Sequence, residues 1–232
     1  MRYSMSRLSK PPPVTRAGRR TGTAAPAKGG LQPAAREARR EELLQAALTV
    51  IRRDGPDASM DTMAAEAGIT KPILYRHFGD REGLVGAVAS RFADELVLRL
   101  NEALVSESDQ RLRIEAALRS YVDFIEEDPS LYAFLTREVP VASPVMMGVV
   151  DRVAVVLRGA IGDGLRDAGV SSRPAETWAY GVVGMVHLAG ARWAAHPSGP
   201  KDELVGDLVQ LVAEGLIASA AAMRLRPPLS IE

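Results

Sequence analysis

The chain has 232 residues, nearly half of them hydrophobic and a quarter charged, enough to bury a sizeable core in one large or two modest domains. It contains no cysteine, which excludes disulfides, thiolate metal sites and a cysteine nucleophile. Its 29 basic and 29 acidic residues cancel unevenly: residues 1–40 carry ten Lys and Arg against Glu37 alone, a local charge of +9, and the remainder carries −9. A body of that sign is repelled by a phosphate polymer, so DNA binding has to rest on locally placed cations and on the basic N-terminal arm.

Residues 1–33, with PPP, APAKGG and QP and almost no large apolar side chains, bury too little surface to offset chain entropy and are expected to be a disordered basic arm. Two readings of the arm stand side by side: cations that track phosphates or enter a minor groove, and a solubilising tail. No apolar region succeeds it as in a secretory leader, and no uninterrupted apolar run approaches bilayer-spanning length, so a soluble cytoplasmic protein is expected.

A first helix is predicted from Pro33 to Arg53, with Leu43, Leu44, Ala47, Leu48 and Ile51 as its apolar stripe and Asp54-Gly55-Pro56 as its stop. Arg36, Arg39 and Arg40 stand at its start, either as a solvated face or as phosphate contacts. Ser59 is placed to cap the next helix. Asp61 to Phe78 then reads as two short helices around a tight turn, with Met63, Ala64, Ala67, Ile69, Leu74 and Phe78 spaced to bury one side. Gly68 sits where the chain reverses, Thr70 is expected to cap the second helix through its hydroxyl, and Pro72 is tolerated in the first turn. The face left over carries Lys71, Tyr75, Arg76 and His77, a pattern suited to a DNA major groove.

A fourth helix starts after Gly79-Asp80 with Leu84, Val85, Val88, Phe92, Leu96 and Leu100 as its stripe, and Arg81 lies unfavourably in its first turn. Further helices are predicted over residues 108–128, Leu131–Glu138, Ser143 to about Ala168, Ala175–Ala195 and Glu203 to about Met223. Gly162 and Gly164 in IGDGL fall inside a helical pattern and mark a kink rather than a nucleotide loop. On the Ala175–Ala195 helix, Gly181, Gly184, Leu188, Ala191 and Ala195 form a stripe of mostly small residues. The last helix has two apolar rows, Leu204, Leu208, Leu211 and Gly215 beside Val205, Val209, Val212 and Leu216, and a helix with two such rows packs on two sides. One side faces its own domain, and the other implies a symmetric partner in a four-helix interface. Without strand alternation anywhere, the fold is expected to be all-α: a helix-turn-helix headpiece over residues 34–82, an antiparallel helical bundle over 83–226 and a tail over 227–232.

Residues 39–86 resemble the DNA-binding domain of tetracycline-repressor-like (TetR family) regulators, through RREELLQAALTVIRRDG, SMDTMAAEAGIT, KPILYRHF and GDREGLVGAV. The resemblance implies a one-component regulator, a repressor that binds a palindromic double-stranded operator as a homodimer and is released by a small hydrophobic effector. It implies that Tyr75 and Lys71 contact phosphate, that Arg76 and Thr70 lie nearest base edges, with His77 and Arg39 close by, and that Arg81 clamps the DNA backbone. Pro72 and Ile73 depart from the small residues or Gly often found there in relatives. The same resemblance places the homodimer interface on the last two helices, at Gly181, Gly184, Leu188, Ala191, Leu208 and Leu211. It also places an effector site among Tyr121, Phe124, Tyr132, Phe134, Met146, Met147, Trp178 and His187, an apolar set suited to a fatty acyl or aromatic compound. The three histidines have no metal-site spacing, and no nucleophile elbow or phosphate-cradling loop stands out, so no catalytic residue, metal or cofactor is expected. The competing class is a sequence-tolerant DNA-architectural protein that uses its basic arm.

Overall fold

The computed structural model describes residues 33–225; the basic arm up to residue 32 and residues 226–232, with the tail, lie outside the described residues. No strand occurs among the described residues. The order is α1 (Pro33–Asp54), a short turn (Gly55–Asp57), α2 (Met60–Glu66), α3 (Lys71–Phe78), α4 (Arg81–Ser106), α5 (Gln110–Glu127), α6 (Pro129–Glu138), α7 (Pro144–Asp167), α8 (Ala175–Ala195), α9 (Lys201–Val209), a π turn (Gln210–Glu214) and α10 (Gly215–Leu225). Five helices begin in one way. Ser59, Asp80, Asp109, Asp128 and Ser143 each accept the backbone N–H three residues on, at 2.8–3.1 Å. Each such cap satisfies an orphan donor and contributes on the order of 1 kcal/mol. Asp128 is the reason α6 opens at Pro129, two residues before the predicted Leu131.

The buried residues form two clusters. The first joins Leu43, Leu44, Leu48 and Ile51 of α1 to Met60 and Met63 of α2, Leu74 and Phe78 of α3, and Leu84, Val85 and Val88 of α4. It also takes in Leu131, Phe134 and Leu135 of α6, with Val139 and Met146 beyond. The second joins Leu96 and Leu100 of α4 to α5, α7, α8, α9 and the π turn. The two cores therefore do not divide at residue 82: α4, about 39 Å long at 1.5 Å per residue, runs through both, and α6 packs under the headpiece.

Two local expectations change. α7 runs unbroken through Gly162 and Gly164, and the side chain of Gln110 lies across Gly164, where a Cβ would come within 2.7 Å of its Nε2. In the last helix, the row containing Leu208 is split. Leu208 is buried in the protomer core while Leu211 is 60% exposed, because the inward stripe runs through Val205, Leu208, Val209, Val212 and Ala213 at three- and four-residue spacing and Leu211 falls outside it. Lys201–Leu225 is moreover long and apolar enough to cross a membrane by length and composition. Between Asp207 and Leu225 its only charged residues are Glu214 and Arg224.

Candidate nucleic-acid interface and ligand cavity

The helix-turn-helix is built from local hydrogen bonds. Ser59 and Thr62 cap α2 reciprocally, side chain to backbone in both directions at 3.1 Å. At its other end Gly68 donates to the carbonyl of Ala65 and Ile69 to that of Ala64, both at 3.0 Å. This closure needs a left-handed residue, and Gly68 has φ +64°. α3 then starts from the Thr70 carbonyl, which accepts from Ile73 at 2.9 Å and Leu74 at 3.2 Å. The Thr70 hydroxyl makes no capping bond, contrary to the sequence expectation; the backbone alone closes this turn and the exposed side chain is left to solvent. The end of α3 is fixed from below, where the Arg40 guanidinium stacks over the Phe78 ring at 4.9 Å from its centroid.

Leu74 and Phe78 face the core, which leaves Thr70, Pro72 and Arg76 exposed and Lys71, Tyr75 and His77 half-buried on the outer side. Several of the cations read as DNA ligands already hold carboxylates. Lys71 Nζ lies 3.0 Å from Asp61, Arg39 lies 2.6 Å from Glu42, and Arg81 Nε lies 2.9 Å from Glu138. Asp61 raises the lysine pKa above its ordinary value, and Arg81 holds the Glu138 carboxyl below its own. Arg76 and His77 have no ion-pair partner among the described residues.

Arg81 is the position the sequence read least completely. Its guanidinium reaches Glu138 on α6 and lies 6.0 Å from the Phe134 ring, so it ties the start of α4 to α6. Arg137 to Asp57 at 3.3 Å and Arg52 to Asp128 at 2.7 Å tie the same helix to the turn after α1 and to α1 itself. Sequence reading also passed over Gly83. A Cβ there would lie 1.9 Å from the Phe78 carbonyl oxygen, so α3 and α4 approach closely because this residue has no side chain.

Beneath the headpiece lies a cavity of about 850 Å³ walled by α4, α5, α6, α7, α8 and the last helix. Of the eight predicted effector residues, Tyr121, Tyr132, Met146 and His187 line it. The other four do not. Phe134 is 1% exposed within the headpiece core, Phe124 packs on Phe92 at 4.6 Å and under Arg99, Met147 is 44% exposed on the outer side of α7, and half-buried Trp178 lies outside the wall. The sequence missed Phe92, Leu96 and Leu100 of α4 and Val150 and Val153 of α7 as wall residues; the α4 stripe was legible, but a stripe facing a cavity looks like one facing a core.

On the outer surface of α8, a Cβ on Gly181 or Gly184 would meet nothing within 4 Å, and Leu188 is 59% exposed. Ala191 is half-buried beside them, and Leu211 and Ile217 of the last helix are exposed. Leu208, predicted for the same interface, faces inward.

A capped helix-turn-helix presenting Thr70, Lys71, Tyr75, Arg76 and His77, set on a helical domain with an internal cavity, defines a DNA-binding transcriptional regulator. Residues 43–88 match the model for bacterial regulatory proteins of the tetR family, and residues 99–227 match the tetracyclin repressor-like C-terminal domain. The chain belongs to the TetR family, whose members are DNA-binding regulators rather than enzymes. It is 34% identical over 185 residues to the HTH-type transcriptional activator FasR of Mycolicibacterium smegmatis, covering 78% of this chain and 84% of that one. Among solved structures it resembles a tetR-family regulator from Streptomyces coelicolor, with TM-score 0.61 and 26% identity over 80% of this chain and 83% of that one. The fold also matches FadR of Bacillus subtilis in complex with stearoyl-CoA, with TM-score 0.59 and 14% identity over 75% and 98%.

Proposed function

We propose that the protein is a homodimeric, cytoplasmic repressor that leaves its operator when an apolar small molecule fills the cavity. One observation carries this reading. Ala89, Leu135, Val139 and Met146 belong to the buried headpiece core and also line the cavity, so a ligand that displaces them disturbs the packing beneath the DNA-binding helices. The apolar wall suits a fatty acyl or aromatic effector, and FadR, which shares the fold, was solved with stearoyl-CoA.

In this reading the occupant of the exposed α8 and α10 surface is a second copy of the chain, seated on Gly181, Gly184, Leu188, Ala191 and Leu211. The open glycines admit a close helix approach, and the cover accounts for an apolar helix that the protomer leaves mostly exposed. Two recognition helices then enter successive major grooves, about 34 Å apart. Lys71 and Tyr75 contact phosphate, Arg76 and Thr70 approach base edges, and His77 and Arg39 flank them. Lys71 and Arg39 exchange their carboxylate partners for phosphates at small cost, because exposed pairs of this kind contribute little; Arg81 exchanges the part-buried Glu138 at a larger one. The exchange at Arg81 releases Glu138, which makes α6 the element that senses both cavity and DNA.

The test starts from genomic fragments selected by the purified protein. Anisotropy titration should show operator preferred over random duplex by about a thousandfold or more, with Lys71→Ala and Tyr75→Phe binding more weakly while remaining folded. Long-chain acyl compounds should then release the operator, and a reporter should rise when such a compound is added. Equal affinity for any duplex would favour the architectural reading. An operator complex indifferent to every acyl compound that binds the protein would remove the effector reading. FasR carries an activator's name, so the sign of the reporter response decides repression against activation.

A further inference from the structure

Among the described buried residues of the cavity wall, only two carry a polar side-chain group. Tyr121 and Tyr132 line it and are 8% and 5% exposed. Their phenolic oxygens lie 3.4 Å apart, and among the described residues neither side chain makes another hydrogen bond. That separation is long beside the usual O–H···O distance of about 2.7–2.8 Å. Two buried donors thus share one weak contact, and a buried donor left without an acceptor is costly. Tyr121 lies against α8, where a Cβ on Gly190 would be 3.1 Å from its hydroxyl. His187 precedes Gly190 by one helical turn on the same face, lines the cavity, and makes no side-chain hydrogen bond among the described residues.

We propose that Tyr121 and Tyr132 form a hydrogen-bonding site inside the cavity for an uncharged oxygen acceptor carried on an apolar chain: a ketone, ester or thioester carbonyl. The proposal rests on the reading of the cavity as the effector site. An oxygen about 2.8 Å from each phenol fits between hydroxyls 3.4 Å apart and accepts both protons. Burial raises the pKa of both phenols, so they stay donors, and lowers that of His187, so the imidazole is neutral at physiological pH. The charged side chains that line the cavity, Glu107, Arg113, Asp163 and Asp167, stand apart from these buried groups: the three carboxylates are exposed, and Arg113 is bound to the Glu107 and Ser108 carbonyls at 2.6 and 3.0 Å. Neither phenol is bonded to a Lys or Arg, and a carboxylate buried beside them would have to protonate His187 against the desolvation that lowers its pKa, which favours a neutral oxygen.

The experiment compares the full-length protein with its Tyr121→Phe/Tyr132→Phe variant, which keeps both rings and removes both donors. Decane, methyl octyl ketone and decanoate are titrated by displacement of Nile red, and the carbonyl stretch of the bound ketone is read by infrared difference. The variant should bind the ketone about tenfold more weakly and decane within about twofold of the parent, as expected for the loss of two hydrogen bonds. The ketone stretch should lie at lower frequency in the parent than in the variant. Ketone and decane affinities equally unaffected by the double change would overturn the site while leaving the effector reading in place. A larger loss for decanoate than for the ketone would overturn its neutral character. If nothing displaces the dye from the parent, the effector reading falls and this site with it.

Discussion

At single positions the decisive distances are those at which a side chain is missing or differently engaged. Gly83 is the sharpest case. Helix propensity alone makes Gly→Ala in a helix favourable by about 1 kcal/mol. The Phe78 carbonyl, 1.9 Å from the position a Cβ would take, reverses that sign. Gly83→Ala should destabilise the protein by about 1–3 kcal/mol in denaturant unfolding, as overpacking does. A stabilised variant would show that the start of α4 yields freely. Thr70 and Arg81 make the complementary point: whether the hydroxyl caps, or the guanidinium is free, depends on neighbours that sequence does not supply.

Among the elements, α8 and the last helix separate two kinds of small residue that look alike in sequence. A Cβ on Gly190 would strike Tyr121 at 2.9 Å and Ile125 at 3.2 Å, so this glycine serves the protomer interior. Gly184 has nothing within 4 Å, so the folded protomer accommodates a larger side chain there. Gly184→Leu should therefore keep the helical content and unfolding cooperativity of a folded protomer. It should still weaken the dimer by about 1–3 kcal/mol, seen as dissociation in sedimentation at micromolar concentration. An unchanged dimer would move the interface away from α8. Leu208 and Leu211, three residues apart in one predicted row, end on different sides because only the row through Val205, Val209 and Val212, with Leu208 at its edge, faces the protomer core.

For the whole molecule the dominant asymmetry is charge. The arm and the start of α1 carry +9 against −9 on the rest, and deletion of residues 1–32 removes seven bases and no acid. If those bases neutralise phosphates, operator and random duplex should weaken by similar factors, because backbone contacts carry little sequence information. The slope of log affinity against log salt should become shallower by roughly 0.9 for each phosphate that the truncated protein no longer neutralises. A truncated protein with the parent's slope would assign the arm to solubility.

The amino-acid sequence by itself determined the helices and which residues share the outer face of α3. Apolar spacing at three and four residues, Ser59 as a cap, Asp80 and Ser143 as helix starts, and Gly68 at the reversal are all local, and local chemistry is what a sequence displays. The charge pattern on α3 was legible for the same reason: those residues share one helix. What tertiary structure alone decided is how separate helices meet. Phe134 went to the headpiece core and Tyr132, two residues earlier, to the cavity, because α6 is wedged between the two. Glu138 reached Arg81 across 57 positions, and Tyr121 met Tyr132 and Gly190 across two helix contacts. Apolar periodicity states that a face is buried but not whether it meets a neighbour, a cavity or a second subunit; that depends on the relative placement of helices far apart in the chain.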